Sequence, residues 1–371
     1  MDYRLIATTT FGLEAVTKKE LQRLGYDELV VENGKIELDG DAYDIAMLNT
    51  WLRTAERVLI KVAEFPATSF EELFEGTTAI DWSQFVPEDG KMHVVGKSVK
   101  SKLFSVPDCQ SIVKKAIVKS MGRAYDREFF DEDGAVYKIE VALLKDVVTL
   151  SIDTSGAGLH KRGYRADAGG APLKETLAAA LVQMARWNFS TPLVDPFCGS
   201  GTLLIEGSMY ARNMAPGLNR NFVCETWPNF EASVFDDVRE DARGAVKDKE
   251  LTLYGYDIDG KVLKIARANA LAAGVGSNIE FQRRDFYDFS SGWEEACLIA
   301  NPPYGERLLD EKEVARLNKE FGVLASNFPR WHLNIFSAAG GFEEDFGRKS
   351  DKNRKLYNGR ILTRFYQYYA K

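Results

Sequence analysis

The spacing of apolar positions along this chain predicts three successive textures. In the first, Tyr3 to Thr9 reads as a strand. Phe11-Gly12-Leu13-Glu14 then opens an amphipathic helix with Leu13, Val16, Leu21 and Leu24 apolar and Gly25 as its stop. Asn33-Gly34 between Val30-Val31 and Ile36 to Leu38 marks a hairpin. A helix over Ala42 to Leu52 and a strand over Val58 to Phe65 complete a β-α-β-β-α-β order, the ferredoxin-like pattern, within residues 1–65.

Residues 66–155 read as a second small α/β unit. A turn and short helix lead to a strand at Met92 to Val95 and the basic loop Gly96-Lys97-Ser98-Val99-Lys100-Ser101-Lys102. The helix predicted over Val106 to Met121 puts Ile112, Val113, Ala116, Ile117 and Ser120 on one side and Lys114, Lys115 and Lys119 on another. Val136 to Leu143 and Val147 to Ile152 form a hairpin around Lys145-Asp146. Residues 156–171, Gly-rich and basic, read as an interdomain connection.

From 172 to 371 the texture becomes strand–helix alternation. Pro172 starts a helix that continues over Leu173 to Trp187. Strands follow at Pro192–Val194, Thr252–Tyr256, Ile279–Gln282, Ala296–Ala300 and Leu333–Ser337, with Met209 to Lys249 as an insertion. Leu356-Tyr357 and Arg360 to Tyr368, joined through Asn358-Gly359, close the chain. The expected fold is α/β: a doubly wound, mostly parallel sheet ending in an antiparallel hairpin.

Composition narrows this only in part. The 371 residues carry a net charge of −7, but nine Lys/Arg against two acids lie between Lys91 and Arg127, and eight against one between Gly347 and Lys371. Two basic stretches on an acidic chain point to local phosphate-binding faces. Four scattered cysteines without a CxxC pair argue against a zinc or disulfide framework and fit a reducing cytoplasm. No apolar run approaches a membrane span, and the N-terminus lacks the pattern of a signal peptide.

The candidate chemistry lies at strand ends. Asp195-Pro196-Phe197-Cys198-Gly199-Ser200-Gly201-Thr202 is a glycine turn running into a helix, where backbone N–H groups face a ligand. Leu204 occupies the place of the third dinucleotide-fingerprint glycine and no P-loop lysine follows, which disfavours a pyrophosphate ligand. Asp257, ending the next strand, can accept both hydroxyls of a ribose, and Asp285 can bind an adenine amine. Asn301-Pro302-Pro303-Tyr304 offers an amide and backbone carbonyls as acceptors beside a flat ring. That set suits a planar ring bearing an exocyclic amine. Open α/β sheets bind ligands at these carboxyl edges, so the four strand ends together describe an adenosine cofactor beside an amine-bearing ring.

The motifs at 195–202 and 301–307 resemble those of class I S-adenosylmethionine-dependent methyltransferases acting on exocyclic amines. With the two N-terminal units, the whole chain is similar to the THUMP-containing large-subunit ribosomal RNA guanine-N2 methyltransferases, often labelled N6-adenine-specific DNA methylases. His160 to Arg165, Ala171 to Glu175 and the insertion segment Met214 to Arg220 carry the resemblance further. Some members have a second methyltransferase domain, which this sequence does not include.

The resemblance implies a Rossmann-like class I domain over 172–371, a THUMP unit over 66–155 that binds RNA, and S-adenosylmethionine as cofactor, with no metal. Asp257 would hold the ribose and Asp285 the adenine. Asp195, Gly199 and Gly201 would form the methionine-side turn, with Phe197, Thr202, Ile258 and Phe286 in the same site. Arg165, Pro172, Leu173 and Glu175 would belong to a segment closing over the cofactor. Asn301 and the Pro302 carbonyl would steer the amine, Pro303 would stiffen the loop, and Tyr304 would stack on an extruded base. Lys97, Lys100, Lys102, Lys114, Lys115 and Lys119 would contact RNA phosphates. Guanine N2 in 23S ribosomal RNA is the expected target. Adenine N6, transfer RNA and a non-catalytic RNA-binding or assembly role remain open.

Overall fold

The computed structural model describes residues 2–165, 173–303 and 311–371. Its first half holds β1 (Tyr3–Thr9), α1 (Glu14–Arg23), β2 (Val30–Glu32), β3 (Lys35–Gly40), α2 (Ala42–Trp51) and β4 (Ala55–Pro66). There follow α3 (Phe70–Thr78), β5 (Lys91–Val99), α4 (Val106–Tyr125), β6 (Val136–Leu144) and β7 (Val147–Asp153). Strict alternation decides which face of these strands is covered. Along β6, Tyr137, Ile139, Val141 and Leu143 are buried and their neighbours are not.

The two N-terminal units share one seven-stranded sheet, ordered β2-β3-β1-β4-β7-β6-β5. One edge of β4 pairs with β1, and the other pairs antiparallel with β7 from Leu59–Asp153 to Pro66–Val147. A ferredoxin-like unit standing alone would leave that second edge of β4 exposed, and an unpaired edge invites aggregation. The boundary at 65/66 therefore falls inside a strand.

The second half holds α5 (Glu175–Met184), β8 (Leu193–Asp195), α6 (Thr202–Ala211), α7 (Val234–Gly244), β9 (Leu253–Asp257) and α8 (Gly260–Ala272). It continues through β10 (Ile279–Arg283), β11 (Cys297–Ala300), α9 (Glu311–Asn327), β12 (His332–Ser337), α10 (Phe342–Phe346), β13 (Lys352–Asn358) and β14 (Ile361–Tyr368). The sheet order is β10-β9-β8-β11-β12-β14-β13. β10, β9, β8, β11 and β12 are parallel, and β14 and β13 form the antiparallel end. All four residues of β11 are buried, as expected of a central parallel strand covered on both faces. The order reverses between β8 and β11, which opens a crevice at their carboxyl ends.

The insertion is one of the elements that join the halves. Phe222, Cys224, Trp227, Phe235 and Val238 pack into the core of the N-terminal sheet, not that of the second sheet. The Trp227 ring stacks on Tyr137 at 4.7 Å and its Nε1–H donates to the Val136 carbonyl at 3.0 Å. Gly217 donates its N–H to Thr50 O, and a Cβ there would stand 2.7 Å from the Asn49 carbonyl oxygen, so only glycine fits. The connection is also packed: Leu159, Arg162 and Tyr164 are buried. No helix among the described residues is long and apolar enough to cross a membrane.

Candidate active site

The crevice is walled by the ends of β8, β9, β10 and β11. At β8 the chain turns through Gly199 (φ +50°) and Gly201 (φ +84°), a conformation that side chains disfavour. A Cβ on Gly201 would also press on the Phe281 ring at 3.0 Å, while one on Gly199 would meet open space. The turn is tied across to β9, because Gly199 N–H donates to Asp257 Oδ2 at 3.0 Å. The other Asp257 oxygen accepts Asp259 N–H at 2.9 Å, and Asp259 caps α8 by accepting Lys261 N–H. Asp257 thus fixes two loops with one of these bonds to each of its oxygens.

Asp195 is 1% exposed and accepts the Phe197 N–H at 3.0 Å. Burial pushes its carboxyl from the ordinary 3.8 up to about 8, the Phe197 N–H offsets part of this, and the Asp257 charge adds to it. The folded chain then holds more protons than the unfolded chain between these two values. Stability is greatest below the unfolded value and falls as pH rises toward about 8, by at most about 1.4 kcal/mol per pH unit. Asp195→Asn is expected to flatten that fall, closing the stability gap to the native protein between acidic and mildly alkaline buffer. Thermal denaturation at both ends of the window checks this, and parallel curves would show that Asp195 is ionised throughout.

At β10, Asp285 Oδ1 accepts the Tyr287 N–H at 3.0 Å, and Ile258 beside Asp257 stands 61% exposed. The buried Phe286 ring lies 4.8 Å from Phe197 and 4.6 Å from Phe321, forming an aromatic floor. Phe321, on α9, escaped the sequence reading because only the packing brings that helix under the crevice. At β11, Asn301 presents a buried Oδ1 with no hydrogen-bond partner among the described residues. Pro302 is buried and Pro303 half-buried beside it. Tyr304 and Pro172 lie outside the described residues.

Arg165 reaches the glycine turn. Its guanidinium donates to Thr202 Oγ1 at 2.6 Å and to the Leu173 carbonyl at 3.3 Å, and pairs with Glu175 at 3.4 Å. The two ends of the expected closing segment are thus tied to each other through Arg165, which also reaches the first residue of α6. Cys198 is buried, and burial pushes its thiol well up, as befits a packing residue.

The lysines fall into two groups. Lys114 is half-buried and spent on Glu132 and the Met92 carbonyl; Lys97 pairs with Glu140 at 2.8 Å, and Lys119 lies over the Phe74 ring. Lys100, Lys102 and Lys115 are exposed.

Known proteins match this arrangement along its length. Residues 4–59 match the RlmL ferredoxin-like domain, 67–153 the THUMP domain and 162–367 the RMKL-like methyltransferase domain. Over 374 positions the chain is 49% identical to "Putative RNA methyltransferase YpsC" of Bacillus subtilis, covering 100% of this chain and 96% of that protein. A Listeria monocytogenes structure described as a "predicted N6-adenine-specific DNA methylase" is 48% identical, with TM-score 0.94 over 100% of this chain and 97% of that one. SMU.472, described as "a putative methyltransferase complexed with SAH", is 43% identical, with TM-score 0.94 over 100% and 98%. The chain therefore belongs to the RlmL-like methyltransferase family, with ferredoxin-like and THUMP modules ahead of its methyltransferase domain.

Proposed function

We propose that this chain is an S-adenosylmethionine-dependent RNA methyltransferase that methylates the exocyclic N2 amine of a guanosine, in large-subunit ribosomal RNA. The observation carrying this reading is the orphaned Asn301 Oδ1 at the end of β11, in the same crevice as the glycine turn and Asp195. The residues present fit the cofactor. Asp195 is a buried carboxyl with no cationic partner among the described residues, suited to a methionine ammonium; Asp257 suits ribose hydroxyls, and Asp285 an adenine amine. The cofactor supplies a methyl carbon activated by a sulfonium sulfur.

The chain's own task is to position a poor nucleophile. An amine lone pair on guanine is delocalised into the ring. Asn301 Oδ1 and the Pro302 carbonyl accept its N–H bonds and turn the lone pair out of the ring plane. With the cofactor held by Asp195, Asp257 and Asp285, its methyl group would be the electrophile for this lone pair, its sulfur would keep the C–S electron pair, and the methylated amine would release one proton to solvent. Two successive prolines hold these acceptors still, so the rate comes from positioning and electrostatics, with no covalent intermediate.

Nucleoside mass spectrometry tests the reading, using isotopically labelled S-adenosylmethionine and ribosomal and transfer RNA from cells lacking the gene. Label in N2-methylguanosine of large-subunit RNA is the expected result. Label in N6-methyladenosine would keep the site and change the substrate, in line with the description of the Listeria relative. Label in transfer RNA would move the target.

A further inference from the structure

The tip where β5 leaves the first sheet holds an aromatic ring in the open. Lys100 follows β5 with φ +52°, and the β6–β7 turn places Lys145 and Asp146 at +51° and +65°. Side chains disfavour such left-handed conformations in non-glycine residues. Three of the seven non-glycine residues with positive φ among the described residues are gathered here.

Hydrogen bonds lock the two turns together. Asp146 Oδ1 accepts Lys102 N–H at 2.6 Å, Ser101 Oγ accepts Asp146 N–H at 3.0 Å, and the Val99 carbonyl accepts Lys145 N–H at 3.2 Å. Ser98 Oγ–H donates to the Leu103 carbonyl at 2.7 Å, and the Leu103 side chain is buried. Its neighbour Phe104 is 82% exposed. Lys100 and Lys102 precede the ring in the same loop, Lys145 sits in the turn bonded to it, and all three are exposed. The nearby acids are engaged: Asp146 holds the Lys102 N–H, Asp108 accepts the Ser105 hydroxyl, and Glu72, within the field of Lys102, accepts the Thr68 and Ser69 N–H groups.

A flat apolar ring on a pinned loop, framed by cations, matches one chemistry well. An unpaired nucleotide brings a π-face for the ring and phosphates for the lysines, whereas a duplex hides its bases. An acidic peptide would answer the charges without requiring the ring. A loop already rigid loses little freedom on binding. We infer that this tip binds an unpaired nucleotide of the RNA substrate, its base stacked on Phe104 and its flanking phosphates at Lys100, Lys102 and Lys145. The inference rests on the RNA-substrate reading above.

The test is fluorescence anisotropy of the full chain with a labelled single strand of about 12 nucleotides and a blunt duplex of the same length, across about 50–200 mM salt. Phe104→Ala is expected to weaken single-strand binding about tenfold, leaving duplex binding and the salt slope unchanged, with Phe104→Trp restoring affinity. Lys102→Ala is expected to lower the single-strand salt slope by about 0.7. Native-like single-strand binding by Phe104→Ala would overturn the inference and leave the ring to a protein contact. Equal losses on single strand and duplex would overturn it too. If the native chain binds neither RNA, the RNA reading itself fails; if it binds and Phe104→Ala binds equally, only the tip assignment does.

Discussion

Methyl transfer by Asn301→Ala is expected to fall about 10²–10³-fold, the loss that follows removal of one preorganised polar group from an active site. S-adenosylmethionine affinity should stay near the native value. All four residues of β11 are buried, so its backbone has nowhere to shift. Pro302 and Pro303 then fix the direction in which Asn301 leaves the sheet. Its Oδ1 is buried without a partner among the described residues, and a buried polar atom left unpaired costs about 1–3 kcal/mol. In the proposed mechanism the substrate amine supplies the missing partner. Alanine should consequently leave folding stability unchanged or slightly raised while turnover collapses. Single-turnover rates set beside thermal denaturation separate the two effects. A matching loss of stability would make Asn301 a structural residue, and unchanged turnover would falsify its role in steering the amine.

The residues that can be read in sequence are those whose signal is local. Ala296 to Ala300 is an apolar run stopped by two prolines, and it is β11. Asn33-Gly34 sits between β2 and β3 as its hairpin chemistry requires. The glycine turn and Asp257 end adjacent parallel strands, as strand–helix alternation predicts, and they meet through Gly199 N–H.

What escaped the sequence depends on partners distant along the chain. Periodicity tells which face of β4 is buried but not which strand lies along its edge, so its pairing with β7 left no mark. Residues 156–171 look like a solvated linker by composition, yet Arg162 and Tyr164 are buried against a carboxylate far along the chain. Lys114 shares its helical spacing with exposed Lys115 but is bound down by Glu132. In each case the local pattern is satisfied by the fold, and the long-range contact decides the role. One signal was available: Glu206 stands alone as an acid in the apolar helix Leu203-Leu204-Ile205, which calls for a buried cation somewhere.

That cation makes Glu206→Ala the stability prediction with the largest expected effect, about 3–5 kcal/mol, the usual result of breaking one side of a buried pair. Glu206 is fully buried on α6, with Arg162 Nε at 3.4 Å and the Tyr164 hydroxyl donating at 3.1 Å. Arg162 also donates to the carbonyl of Arg53, which follows α2 in the N-terminal sheet, and to the Leu159 carbonyl. Arg53 is itself buried, and burial lowers its guanidinium pKa, so alanine would leave Arg162 facing a void and remove one of the two carboxylates, Glu20 and Glu206, that act on Arg53. Glu206→Gln keeps the shape and an acceptor for Tyr164 but not the charge, and should lose less. Replacing the pair together, Arg162→Met with Glu206→Leu, removes both charges and should recover most of the loss. Urea unfolding of the three variants orders them. If Glu206→Ala unfolds within about 1 kcal/mol of the native chain, the ion pair does not join the two halves. The same cluster supports the site: Thr202, first residue of α6, receives Arg165, which lies three positions beyond Arg162. Glu206→Ala should therefore also weaken S-adenosylmethionine binding measured by titration of the folded protein, while the paired apolar replacement, which keeps α6 packed, should not.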